Sequence, residues 1–340
     1  MSSNEAPEPC LHTLHSQTQN LVLQQQRRKG FRTTCIRAVS VHEDAHAVLE
    51  EAEYQGQASW SLYNEPELYD RLFAGRDFAS ELQFLLGAYA RHTAEGQAGG
   101  RPQSFVELGC GPARHAVEAW QQGMAQVTAV DDNRRMLEFA RRQAAAAGAT
   151  VRFLEGRLEE LFSTESGLPE GFLHADLALL PLGTLAHALT NDDALRWLAA
   201  AGNALRPGGL LVLELPHPAD VFDGALVEGD DWELAGVEEG DIDLRMEYGA
   251  PMDDFDPYTQ IMQRSVAVSE ADPANEEGDG WRLIGREMVP QRVFTLQEVR
   301  LLARIAGFSV EGLYGEMALE ADLQHEEAYR LIVVLKNERT

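Results

Sequence analysis

The sequence predicts an α/β protein: a doubly wound, mainly parallel sheet with helices on both faces and an antiparallel β cap inserted after the fifth strand. Three observations carry this expectation. A short apolar run, Phe105-Val-Glu-Leu108, leads into Gly109-Cys-Gly111 and then into helical spacing at Ala116, Val117 and Trp120. Apolar runs and helical patterns alternate from there to Leu215, as they do where parallel strands are joined by crossover helices. From about Pro216 to Val293 the apolar period shortens to two, and the helical pattern resumes at Thr295.

Each element has its own signal. Phe78, Leu82, Leu85, Leu86 and Tyr89 form one helical stripe, preceded by an aromatic-rich stretch from Trp60 to Phe73. Phe105–Leu108 reads as the first strand and Val127–Val130, closed by Asp131, as the second. Asn133 can cap a helix through Met136, Phe139 and Ala140. Val151–Leu154 is the third strand and Ala175–Leu180 the fourth. After the loop Pro181–His187, a helix carries Leu195, Leu198, Gly202 and Leu205 on one face, and Pro207-Gly-Gly209 stops it before the fifth strand, Leu210–Leu215. In the cap, runs at Leu244 to Tyr248, Met262 to Val268 and Trp281 to Leu283 alternate, with a charged hairpin-like loop from Asp272 to Gly280. Thr295 and Glu298 spell a capping box, Val299, Ala303 and Ala306 the helix stripe, and Gly307 its end. Phe308–Tyr314 and Tyr329–Leu335 supply the last two strands.

A glycine turn between strand and helix places free backbone N–H groups and the positive helix end beside a bound molecule. Twenty residues beyond Gly111, Asp131 can accept the hydroxyls of a ribose. A dinucleotide fingerprint would require a third glycine where Arg114 stands, which argues against a nicotinamide-dependent oxidoreductase. The phrase Glu107-Leu-Gly109-Cys-Gly111, followed by the strand-end Asp131, instead resembles motifs I and II of the class I S-adenosylmethionine-dependent methyltransferases, with Ala113 where that family usually has glycine. Leu205-Arg-Pro-Gly-Gly209 before a strand is a frequent phrase of the same family, and Tyr69-Asp70 resembles its N-terminal lid.

The resemblance, which covers roughly residues 54 to 336, implies a seven-stranded Rossmann-like sheet, S-adenosyl-L-methionine as cofactor, and methyl transfer to nitrogen or oxygen of a small-molecule acceptor. The layout is similar to small-molecule methyltransferases, the amino-sugar N,N-dimethyltransferases among them. The cofactor contacts it implies are Tyr69, Glu107, Gly109, Cys110, Gly111, Asp131, Met136, Arg157, Leu158 and Leu180. Relatives commonly carry Gly-Asp where this chain has Gly156-Arg157. Arg157 cannot accept a hydrogen bond, so adenine would rely on the backbone of Arg157 and Leu158 or on another acid such as Glu159. Tyr69 and His187 are the implied catalytic residues. Tyr69 either borders the sulfonium or packs the lid helix; His187 either faces the acceptor or caps and packs the helix beginning near Asn191. Arg245, Tyr248, Tyr258 and Arg292 are candidates for the acceptor pocket, against ordinary strand-surface roles. Asp132 reads as a solvated or capping acid, His115 as a surface or packing residue, and Cys110 as a small filler. A non-catalytic binding or scaffold protein of the same fold is the other alternative.

Composition bounds the rest. A chain of 340 residues with 44% hydrophobic content and no long uninterrupted apolar run reads as a soluble protein with an ample core. A net charge of −27 disfavours nucleic acid and anionic membranes as partners. Cys10, Cys35 and Cys110 have no metal-ligand spacing, so no metal is expected. A homodimer is left open. Residues 1–38 differ from the rest: they hold Arg27, Arg28, Lys29, Arg32 and Arg37 against Glu5 and Glu8, are rich in Ser, Thr and Gln, and lack a long apolar segment. They are expected to be a chloroplast transit peptide, with a processing site near Ile36-Arg-Ala38, or else a basic tail on a cytoplasmic protein. Residues 39–340 are then the methyltransferase domain, with the substrate cap at about 216–294.

Overall fold

The structure, a computed structural model, describes residues 60–163, 167–223, 229–236, 242–251, 253–272, 280–325 and 328–339. The expected leader and most of the Asp272–Gly280 loop lie outside the described residues. Seven strands form the main sheet: β1 (Ser104–Leu108), β2 (Gln126–Asp131), β3 (Arg152–Glu155), β4 (Ala175–Leu180), β5 (Leu205–Pro216), and the late β11 (Phe308–Tyr314) and β12 (Arg330–Asn337). Their order is β11-β12-β5-β4-β1-β2-β3. The first five run parallel; β12 lies antiparallel between β5 and β11. The alternation of apolar runs with helical segments predicts this parallel order.

Helices cover both faces because strand residues of both parities are apolar. Phe105, Ala129, Leu177 and Val212 pack against α2 (Phe78–His92), α3 (Arg114–Gln121) and α4 (Arg134–Ala146). Val106, Val130, Ala178 and Leu213 pack on the other side, against α5 (Asn191–Ala204) and α6 (Leu296–Ile305). The capping box of α6 forms: Thr295 accepts from the Glu298 N–H, and Glu298 accepts from the Thr295 N–H at 2.9 Å.

One boundary differs from the expectation. Leu205 does not continue the face of α5; it opens β5, opposite Ala175 of β4. The helix ends at Ala204 because the Asn337 side chain, arriving on β12, donates to the carbonyls of Gly202 at 3.0 Å and Leu205 at 3.3 Å. Carbonyls at a helix end need such a partner.

After β5 comes the cap, an antiparallel sheet of β6 (Asp230–Leu234), β7 (Leu244–Tyr248), β8 (Phe255–Asp256), β9 (Ile261–Ala271) and β10 (Trp281–Arg292), in order β10-β9-β7-β6 with β8 paired to β9. Its inner face does not meet solvent. Met246, Val266, Val268 and Val289 bury Leu62, Leu72, Tyr69 and Phe73 of the N-terminal segment, which includes α1 (Pro66–Leu72). Trp60 lies so close to Gly285 that a Cβ there would stand 2.2 Å from its ring. The cap thus holds α1 over the carboxyl ends of the parallel strands, where ligands of open α/β sheets bind.

Candidate active site

The turn after β1 requires left-handed backbone at Gly109 (φ +68°), Gly111 (φ +48°) and Ala113 (φ +58°). A Cβ at Gly109 would strike the Thr184 methyl at 2.6 Å, so glycine is obligatory there. Ala113 adopts the same region with a side chain, at a cost of about 1 kcal/mol. The turn is held from below by Glu107, buried at the end of β1, which accepts from the Ala116 N–H at 2.8 Å and stands 3.0 Å from His115 Nδ1. Cys110 is buried, and burial pushes its thiol well up, consistent with a filler residue.

Asp131 ends β2 facing this turn. One oxygen accepts from the Gly111 N–H and the other from the Asn133 N–H, each at 2.8 Å. Burial pushes its pKa up to about 6, against the lowering effect of these two hydrogen bonds. Each carboxylate oxygen keeps a second acceptor site, enough for a pair of vicinal hydroxyls. Met136 is buried in the first turn of α4, which Asn133 caps by accepting from Arg135 and Met136 N–H groups.

These groups line one cavity of about 620 Å³. Tyr69, Glu107, Gly109, Cys110, Gly111, Asp131, Met136, Arg157, Leu158 and His187 all border it. Leu180 does not: its side chain faces the core beneath α5, and Pro181 and Leu182 take its place in the wall. The adenine end of the cavity departs from the resemblance as the sequence suggests. The Arg157 side chain is exposed and pairs with Glu159 Oε1 at 2.6 Å. Glu159 Oε2 is buried with no partner among the described residues. A buried unpaired acceptor is costly unless a ligand supplies the donor.

Over the turn, α1 brings Tyr69 against Gly111, where an added Cβ would lie 3.8 Å from the ring. Tyr63 joins it, 5.9 Å away between ring centroids, and its hydroxyl stands 3.2 Å from His187 Nε2. Burial lowers the His187 pKa, so the imidazole is neutral near pH 7. Burial raises Tyr63 and Tyr69, keeping both phenols protonated. Arg114 Nε donates to Asp70 at 2.6 Å, closing α1 onto α3.

The four cap candidates do not line the cavity, although Tyr248 packs in the same cluster as Tyr69. Arg245 pairs with Glu233 and stacks over Trp281, Tyr248 donates to Gln291, Tyr258 is almost fully exposed at a hairpin, and Arg292 binds Asn191 and Glu298. Arg245, Tyr248 and Arg292 are thus held by neighbours within the cap or on α5 and α6. Tyr63 escaped the sequence reading because its distance to His187, 124 residues away, is set only when α1 docks on the cap. His115 is no surface residue: it is 2% exposed and lies between two carboxylates, Glu107 and Glu81.

Residues 105–209 match the methyltransferase domain family. No curated protein matches the sequence. Among solved structures, an S-adenosylmethionine-dependent methyltransferase from Clostridium acetobutylicum superposes with a TM-score of 0.59 at 14% identity, covering 82% of this chain and 100% of its own. A sugar N-methyltransferase from a Streptoalloteichus species gives 0.54 at 16% identity, over 91% and 100%. An amino pentose methyltransferase from Micromonospora echinaspora, solved with its S-adenosylmethionine, gives 0.50 at 18% identity, over 87% and 100%. The glycine turn and the strand-end Asp131 both fall inside the segment that matches a methyltransferase domain, and the solved structures share the fold around it.

Proposed function

We propose that the chain moves the methyl group of S-adenosylmethionine to a nitrogen or oxygen of a small-molecule acceptor. The observation that carries this reading is that one cavity is lined by Glu159, Asp131, the glycine turn, Tyr63 and His187, with the Tyr63 hydroxyl 3.2 Å from His187 Nε2. The residues fit the cofactor. Asp131 has acceptor capacity for two ribose hydroxyls, Met136 and Leu158 give apolar walls for a base, and Glu159 Oε2 lacks the donor that an exocyclic amine would supply. When bound, the cofactor supplies an electrophilic methyl group, and the chemistry is its own.

The protein aligns the partners and excludes water. Tyr69 and Gly111 bound the space at the centre, and α1 with Tyr63 covers it. His187, neutral and half-buried beyond β4, can take the proton that an amine or hydroxyl acceptor must release. Tyr63 fixes the ring orientation through the 3.2 Å contact to Nε2. Two of the similar folds act on sugars or amino pentoses, which supports an amine-bearing acceptor for this site. Incubation with methyl-labelled cofactor and a metabolite extract, read by mass spectrometry, tests the proposal. Label should appear in a small-molecule product. Tight cofactor binding with all label retained in the cofactor would mean a binding protein instead.

A further inference from the structure

We propose that His115 is a positioning residue, held as an imidazolium, that locks the cofactor turn onto a buried network of carboxylates and arginines. This rests on the methyltransferase reading of the cavity.

His115 sits in the first turn of α3, two residues past the glycine turn. Its two ring nitrogens face acids on two different elements. Nδ1 lies 3.0 Å from Glu107 of β1, and Nε2 lies 2.7 Å from Glu81 of α2. Ionised carboxylates only accept, and a neutral imidazole has one N–H. A neutral ring would set a lone pair against a carboxylate oxygen; the doubly protonated ring donates to both. The Phe78 ring packs edge-on against the imidazole at 5.0 Å.

Behind Glu81 the network continues. Arg76 and Arg330 each bridge Glu81 to Glu214 of β5, with contacts of 2.7 and 3.0 Å for Arg76 and 2.9 and 2.6 Å for Arg330. Arg330 also meets Glu316 at the rim. Glu214 in turn accepts from the Leu182 N–H at 2.9 Å, and its own carbonyl from the Gly183 N–H at 3.1 Å. These residues begin the loop that carries His187. One chain of charge-assisted bonds therefore joins the cofactor turn, through His115, to the acceptor-side loop. With His115 charged, three cations face four carboxylates; with it neutral, two do. The charges facing the ring are Glu107 and Glu81, with Arg76 and Arg330 behind Glu81.

Burial alone would drive the proton off, yet the hydrogen bonds and charges of Glu107 and Glu81 prevail and hold the pKa up at about 9. A pKa raised on folding gives a stabilisation complete below about 6.5, the ordinary imidazole value, and lost as pH rises through about 9.

The test uses the whole chain with S-adenosylhomocysteine as the calorimetric probe. His115→Gln should fold, and weaken binding about tenfold or more at pH 7.5, the scale of one lost charge-assisted hydrogen bond. The unmodified protein should lose further affinity between pH 8 and 10. The variant should show only the titration of the probe's own amine, so the difference between the two profiles should close near pH 10. Equal affinity at pH 7.5, or parallel profiles, would overturn the proposal, since a packing role does not titrate. Imidazole NMR of the unmodified protein gives an answer independent of any variant: His115 should keep both ring protons at pH 7.5. A His115 signal that titrates near neutrality would equally overturn it. Absence of probe binding in the unmodified protein would refute the methyltransferase reading and the positioning role together, and is distinguishable because His115 would still show its charge by NMR.

Discussion

At the scale of single residues, one carboxyl and one imidazole each carry a pH prediction. Asp131 must be ionised to accept from ribose, and burial has raised its pKa to about 6. Cofactor affinity should therefore fall as pH drops through about 6, and Asp131→Ala should flatten that dependence while costing about 2–3 kcal/mol at pH 7.5. Folding stability should move the other way: a raised carboxyl pKa favours the folded state below the unfolded value near 4, and this advantage is lost as pH rises through about 6. Calorimetry of a folded Asp131→Ala variant with unchanged affinity would remove the acid from the ribose site. His187 belongs to the acceptor side. If it takes the acceptor's proton, His187→Ala should lower turnover about a hundredfold at neutral pH, leave cofactor affinity intact, and lose less at high pH, where an already deprotonated acceptor can substitute. Joint loss of binding and turnover would point instead to the alternative role, packing of the loop before α5.

At the scale of elements, legibility followed locality. The glycine turn, Asp131, the Asn133 cap and the Thr295–Glu298 box are each written within a few residues, and each was readable from sequence. The end of α5 was not, because its decisive partner, Asn337, arrives from β12. Nor was the role of His115, whose acids come from β1 and α2. Leu180 is a contact implied by the family resemblance, but strand alternation turns its side chain into the core. The docking of α1 is likewise a tertiary fact. The Asn133 side chain donates to the Tyr63 carbonyl at 2.8 Å, Arg135 to that of Asn64 at 3.1 Å, and Asp70 receives Arg114. The last pair is the one that ties α1 directly to the cofactor turn. Asp70→Asn should speed cofactor release several-fold, the scale of about 1 kcal/mol for a partly exposed ion pair, with a much smaller effect on the on-rate. Displacement kinetics that match the unmodified protein would show that α1 stays down without the pair.

At the scale of the whole molecule, the described residues account for the fold and the cavity without the leader. Among them, no helix is long and apolar enough to cross a membrane. The main sheet closes its core on both faces, and the cap closes its own over α1, beginning with Trp60 and Leu62. Nothing in residues 1–38 has the composition to build a further core: they are rich in Ser, Thr and Gln and carry five basic residues in an acidic protein. We propose that they direct the chain to the chloroplast. Two outcomes separate the claims. A chain starting at Val39 should keep the melting temperature within about 2 °C and the cofactor affinity of the full chain, because deletion outside a core leaves packing intact. A fluorescent fusion of residues 1–45 should enter plastids in a plant or algal cell. A purely cytosolic signal would remove the targeting role and leave the folding prediction standing. A truncated chain that melts lower or binds the cofactor more weakly would overturn the folding prediction, whatever the fusion shows, because stability and sorting are read by separate measurements.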